Sequence, residues 1–242
     1  MAKVEGRNSV IELLKGKRKV NKIYLQKGIN GNRVKKIINL AKKKKINIDK
    51  ISKNKINQMA TSYAHQGIIA DAENIQLVSP EEIVDYAKTK DEPPFIVILD
   101  QIQDPQNFGS IIRSAYAAGA HGLIFQDRRA ADITPVVLKA SAGASEHLML
   151  SKVSNINYTI DKLKDLGVWI TGTDLNTNKS YNEVDYKGST AIVIGNEGKG
   201  MRRLVRENCD FLVSIPIKGD LDSLNASVAA GVIFYEVLSQ RT

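Results

Sequence analysis

The chain has 242 residues, 43% hydrophobic and 25% charged, with a formal net charge of +9. No apolar run approaches the ~18 residues that cross a bilayer, the first ten residues lack the apolar stretch of a secretion signal, and a lone cysteine, Cys209, excludes an intrachain disulfide, so a soluble protein of the reducing cytoplasm is expected. Residues 1–75 hold 18 Lys and Arg against 5 Asp and Glu, and residues 76–242 hold 17 against 21, which fits a polyanion-binding module joined to a working module, or else a lysine-rich solvated surface.

Asn8–Leu14 has the apolar spacing of a helix, through Val10, Ile11, Leu13 and Leu14. Lys22–Leu25 reads as a strand. Arg33–Lys43 is helical, with Val34, Ile37, Ile38 and Ala41 in register, and its closing lysines complement a helix C-terminus. Ile46, Ile48 and Ile51 suggest a strand, Lys55–Tyr63 a helix and Ile68–Ala70 a strand. The basic part is therefore a small α/β domain over 1–75. A linker follows over 76–94, with a short helix at Ile83–Ala87 and the paired Pro93-Pro94 at its end.

The rest, 95–242, alternates strand and helix. Phe95–Leu99 and Thr190–Ile194 are uninterrupted apolar runs, as in strands covered on both faces. Gly122–Phe125, Val168–Thr171 and Phe211–Ile215 are further strands. Helices are expected over Gly109–Ala118, Thr134–Ser141, Asn157–Leu166, Arg202–Glu207 and Asn225–Leu238, the last with Val228, Val232, Tyr235 and Leu238 along one face. The alternation implies a mostly parallel sheet with helices on both sides.

Three loops stand out here, at 100–119, 194–201 and 220–229. All are rich in small and amide residues, and each joins an apolar run to a helix. One shared site explains them better than three unrelated turns. Gly195 to Gly200 is G-x-x-G-x-G, neither the dinucleotide fingerprint nor a phosphate-binding loop. His65, His121 and His147 make no metal-ligand spacing, so no metal is expected. Cys209 reads as packing, and Gly119 and Gly122 as turn residues.

Asn107-Phe108-Gly109-Ser110-Ile111-Ile112-Arg113-Ser114-Ala115 resembles the first motif of the SpoU group of SPOUT methyltransferases. Ile194-Gly195-Asn196-Glu197-Gly198-Lys199-Gly200 resembles the second, and Ser223-Leu224-Asn225-Ala226-Ser227-Val228-Ala229 the third. Glu5-Gly6-Arg7-Asn8-Ser9-Val10 and His65-Gln66-Gly67-Ile68 are similar to the group's substrate-binding domain, a ribosomal-protein-like α/β fold. The resemblance implies an S-adenosylmethionine-dependent 2′-O-methyltransferase of structured RNA, most similar to those acting on a guanosine of 23S rRNA. Relatives acting on tRNA share the motifs, and a non-enzymatic rRNA-binding factor is the alternative outside catalysis. A deep trefoil knot in the C-terminal domain and a homodimer formed through it are also implied.

By the same resemblance, cofactor contacts fall on Gly195, Asn196, Gly200, Ile215 and Leu224, with the segment Thr171-Gly172-Thr173 at a strand end. Arg113, the only Lys or Arg between Lys90 and Arg128, is the expected catalytic group. Its protonated fork suits a phosphate beside the reacting ribose, or electrostatic activation of the hydroxyl, better than base catalysis. Asn107 either contacts ribose or caps a helix. Glu197 is expected to orient Arg113 by a bidentate pair. Ser223 and Asn225 lead into the last helix, either as caps or as a polar end to the site. Lys199, Arg202, Arg203 and Arg206 are expected either to touch RNA backbone or to lie solvated.

Overall fold

The computed structural model describes residues 2–61, 65–128 and 130–242. They form two compact units, Met1–Gln76 with Ile133–His147, and Leu77–Asp132 with Leu148–Thr242.

The first unit contains β1 (Ala2–Glu5), α1 (Arg7–Lys15), β2 (Val20–Gln26), α2 (Asn32–Lys43), β3 (Asn47–Ile51), α3 (Lys53–Met59) and β4 (Ile68–Ala72). Its sheet runs β1-β4-β2-β3, with β4 antiparallel to both neighbours and β3 parallel to β2. Val10, Leu13 and Leu14 of α1 and Val34, Ile37 and Ala41 of α2 are buried together, on the faces their spacing marks. β1 was not expected, because four residues are too few to show a period. The expected end of α3 at Tyr63 lies outside the described residues.

The second unit contains α4 (Pro80–Lys88), β5 (Phe95–Asp100), α5 (Pro105–Ala117) and β6 (Gly122–Gln126). After α6 (Pro135–Ala140), which belongs to the first unit, it continues with β7 (Met149–Val153), α7 (Ile156–Asp165), β8 (Trp169–Thr173), β9 (Thr190–Gly195), α8 (Arg203–Glu207), β10 (Phe211–Val213) and α9 (Ala226–Arg241). The sheet order is β10-β8-β9-β5-β6-β7, and every pair is parallel. β5 and β9 lie centrally and are buried along nearly their whole length.

The structure departs from the expected division into 1–75, 76–94 and 95–242 in two places. The linker carries α4, opened by a capping box between Ser79 and Glu82, and its Ile83 and Val84 are buried in the second unit's core. Residues 133–147 leave the expected 95–242 domain to pack in the first unit, where Leu138 joins the core and Glu146 pairs with Arg18 at 2.6 Å, both side chains under a tenth exposed. Gly122 is also more than a turn residue: a Cβ there would lie 2.6 Å from the side chain of Ile83. Gly119, at φ +82, is the turn glycine.

The last helix buries a different face from the expected one. Ala230, Ile233, Phe234 and Val237 are buried, while Val228 and Tyr235 are more than half exposed. The helix is apolar all round, so periodicity could not choose the side that faces the core.

His121 sits under Phe95 with its side chain 1% exposed. Its Nδ1 accepts the Phe95 N–H at 3.0 Å, so the neutral ring carries its proton on Nε2, 3.1 Å from Glu92 Oε2. Burial outweighs Glu92 and lowers the ring's pKa below its ordinary 6.5. As pH falls, the unfolded chain therefore takes up this proton first. The stability contributed by the neutral ring is complete above pH ~6.5 and is lost as pH falls through the folded-state value. Thermal melts from pH 7.5 to 5 should show a larger drop in Tm for the wild type than for His121→Gln, and equal drops would place the acid sensitivity elsewhere.

Candidate functional site

The carboxyl ends of β5, β8, β9 and β10 open toward one side of the second unit, where parallel sheets carry their ligand sites. Asp104 caps α5 by accepting the Asn107 N–H at 2.7 Å, with Pro105 in the first turn. The helix thus starts four residues before the expected Gly109, and Asn107 lies inside its first turn and is not the cap. The missed signal was the Asp-Pro pair, a cap followed by a first-turn proline.

Asn225, by contrast, does cap α9. Its Oδ1 accepts from the N–H groups of Ser227 at 2.9 Å and Val228 at 3.4 Å. That fixes which end of the amide faces the helix, so Nδ2 is left to donate to Asn107 Oδ1 at 3.1 Å. Asn107 Nδ2 then donates to Glu197 Oε1 in a short hydrogen bond. One amide from the first loop thereby ties the second loop to the third.

Glu197 is consequently committed to Asn107 and does not orient Arg113 as expected. Arg113 lies exposed on α5, with no side-chain partner among the described residues. Ser223 is exposed and lines the cleft described next.

A cleft of about 480 Å³ lies between the hairpin Gly195–Met201, the segments that follow β8 and β10, and the approach to α9, a size usual for a small-molecule site. Gly195, Asn196, Gly200, Ile215 and Leu224 all line it. Thr171 and Gly172 do not. Thr171 is fully buried within β8, and Gly172 backs onto Met201 and Cys209, where a Cβ would lie 2.7 Å from Cys209 Sγ. Of that expected segment only Thr173 lines the cleft. Cys209 donates to the Val205 carbonyl, and burial pushes its thiol up to about 12, consistent with packing rather than reactivity.

The hairpin is built tightly. Asn196 and Gly200 exchange backbone hydrogen bonds of 3.1 and 2.9 Å, and Asn196 Nδ2 donates to the Gln101 carbonyl at 3.0 Å, binding the second loop to the first. Two ion pairs not legible in sequence brace it. Asp100, fully buried at the end of β5, accepts from the backbone and Nε of Arg202, each at 2.7 Å. Arg206 pairs with Asp174 at 2.6 Å. Arg202 and Arg206, expected to face RNA or solvent, are held by carboxylates; Arg203 pairs with Glu207 one turn along α8. Arg202→Leu would leave the Asp100 carboxylate buried with a single backbone donor. We expect a loss of about 2–4 kcal/mol in urea unfolding, partly recovered by adding Asp100→Asn. A loss under about 1 kcal/mol would mean the pair is immaterial.

Among the described residues no His, Cys, Asp and Glu cluster could hold a metal ion, and no helix is long and apolar enough to cross a membrane. The geometry defines a class: an α/β domain with a small-molecule cleft at the carboxyl end of a parallel sheet, joined to a basic α/β unit.

Residues 94–235 match the SpoU rRNA Methylase family, and residues 3–78 match the family described as RNA 2′-O ribose methyltransferase substrate binding. The chain belongs to the SpoU rRNA methylase family. A Bacillus subtilis protein assigned to the TrmH family of tRNA/rRNA methyltransferases is 42% identical, over 98% of this chain and 95% of its own length. A Staphylococcus aureus relative with the same assignment is 41% identical, over 98% and 96%. Among solved structures, the SpoU methyltransferase AviRb of Streptomyces viridochromogenes, in complex with AdoMet, superposes with a TM-score of 0.83 at 26% identity, over 99% of this chain and 90% of that one. The A. aeolicus TrmH/SpoU tRNA modifying enzyme, 29% identical, superposes with a TM-score of 0.56 over 66% of this chain and 83% of its own.

Proposed function

We propose that this protein transfers a methyl group from S-adenosylmethionine to a ribose 2′-OH of structured RNA, and that the acceptor is a guanosine of 23S rRNA. The observation that carries the reading is the junction at Asn107, where all three motif loops meet beside a cleft lined by the expected cofactor residues Gly195, Asn196, Gly200, Ile215 and Leu224. Two features favour ribosomal RNA over tRNA. Residues 94–235 match a family described as rRNA methylases, and the A. aeolicus tRNA-modifying enzyme aligns with only two thirds of the chain.

When bound, S-adenosylmethionine supplies a methyl already activated on a sulfonium. The chain's task is alignment, which contributes several kcal/mol when reacting atoms are held in line. Hairpin amides at Asn196–Gly200 and the apolar Ile215 and Leu224 suit an adenosine. Arg113 holds a phosphate next to the acceptor ribose and stabilises charge growing on the 2′-oxygen as the hydroxyl proton is released to water. Asn107, held from both sides, keeps Glu197 and Asn225 at fixed positions around the acceptor.

The same reading has the protein acting in the cytoplasm as a homodimer through its C-terminal domain. The second apolar face of α9, with Val228 and Tyr235 exposed, suits such an interface. The strand order, with β8 and β10 beyond β9, is compatible with a deep trefoil knot.

Mapping of 2′-O-methyl groups in total RNA, with and without the protein, tests the reading. One 23S rRNA guanosine should lose its methyl group in the absence of the protein. A site lost from tRNA would redirect the substrate, and RNA binding with no methyl lost anywhere would favour the non-enzymatic factor.

A further inference from the structure

The first unit holds a second cleft, of about 860 Å³, which the methyl-transfer site does not use. Its rim carries three cations, Arg7, Arg33 and Lys53, and its wall includes the apolar Ile29 and Ala60. The floor is rigid. His65 is buried, with Nδ1 accepting the Gly67 N–H at 3.0 Å and Nε2 3.0 Å from Asn57 Oδ1. Gly67 has φ +77, and a Cβ there would lie 3.0 Å from Ile29 Cδ1. Gln66 beside it is also left-handed, at φ 53, a conformation non-glycine residues adopt at a cost. Its carbonyl accepts Arg7 Nε at 3.3 Å and its Oε1 accepts the Arg7 N–H at 3.2 Å. Arg7 is thereby placed while most of its guanidinium donors stay free.

Charge placement here runs against local helix stability. α1 and α2 have no acidic residue in their first turns and carry Arg7 and Arg33 there instead. Cations at a helix N-terminus oppose the dipole and cost a few tenths of a kcal/mol or more each. α4 of the same chain follows the ordinary rule, with Glu81 and Glu82. Positive side chains beside two positive helix ends, around one cleft, are complemented by an anion placed between them. Asn57 Nδ2 and Gln66 Nε2 make no hydrogen bond among the described residues, which leaves two donors that can meet a base edge.

We infer that this cleft receives one unpaired nucleotide of the RNA, with its phosphate against Arg7, Arg33 and Lys53 and its base laid on Ile29 and Ala60. The inference rests on the reading of the substrate as RNA. An apolar wall beside amide donors and a phosphate clamp favours a base outside the duplex, whose face and edge are both open to contact.

The test uses the full-length protein and two labelled RNA hairpins that differ by one bulged nucleotide, with each of the four bases tried at the bulge. Anisotropy should show at least one bulged hairpin binding about tenfold tighter than the paired one. Arg33→Ala combined with Lys53→Ala, at two exposed positions, should abolish that preference and flatten the salt dependence, while calorimetric affinity for S-adenosylmethionine stays unchanged. Equal binding of all hairpins by the wild type, or a preference that survives in the double variant, would overturn the inference. Methyl transfer to ribosomal RNA is measured alongside. A bulge preference that the double variant loses, without any methyl transfer, would keep the cleft and remove the enzymatic reading. Methyl transfer without bulge preference would do the reverse.

Discussion

Arg113→Ala is expected to lower methyl transfer by two to three orders of magnitude while S-adenosylmethionine binding stays within about twofold. Removing one charge-stabilising donor from a transition state typically costs about 3–4 kcal/mol. The guanidinium is exposed and has no side-chain partner among the described residues, so its loss breaks no structural contact and the fold should be undisturbed. Arg113→Lys keeps the charge but not the planar fork, and should retain only part of the activity. Single-turnover transfer to RNA, with calorimetry of the cofactor, separates these cases. Unchanged turnover in the alanine variant would move the key cation from α5 to the cleft itself, with Lys199, which lines it, the first to examine.

Gly195→Ala should produce the opposite pattern, with cofactor binding lost first. A methyl group there would sit 2.5 Å from the carbonyl carbon of Gly200 and from the amide of Met201. Both are backbone, so no side-chain rotation relieves the clash. The hairpin must open, breaking the paired Asn196–Gly200 bonds that shape the cleft. Overpacking of this kind costs about 1–3 kcal/mol, which corresponds to roughly 5- to 150-fold in affinity if the strain falls on the bound state. Titration of S-adenosylmethionine into the variant gives the answer directly, and wild-type affinity would show that the hairpin does not shape the site. RNA binding by the first unit should be indifferent to the change.

The architecture was legible wherever burial wrote a strong pattern. FIVIL and TAIVI had to be central strands, and α1 and α2 bury the faces that their spacing marks. The failures share a physical cause: a side chain with two competing partners. Glu197 had cations and amides within reach, and only the folded chain shows that Asn225, its oxygen committed to capping α9, donates to Asn107 Oδ1 and so leaves the Asn107 amide N–H to donate to the carboxylate. Asp100 and Arg202 lie 102 residues apart, and nothing local marks them as a pair. Of the segment 171–173 only Thr173 reaches the cleft, because the strand runs two residues past its expected end at Thr171 and keeps Thr171 and Gly172 within the sheet. The apolar ring of α9 shows the limit from the other side, since a helix without a polar face gives no hint of which side turns inward.

The excursion of residues 133–147 has a consequence for how such proteins can change. The polypeptide passes from one folding unit to the other three times, near residues 76, 132 and 147. A single cut therefore cannot separate recognition from chemistry: a fragment ending at 76 would lose Leu138 from its core and leave Arg18 without Glu146. Transplanting the recognition module onto another enzyme would require two stretches of sequence to travel together, so the two halves are tied to a common lineage more tightly than beads on a string.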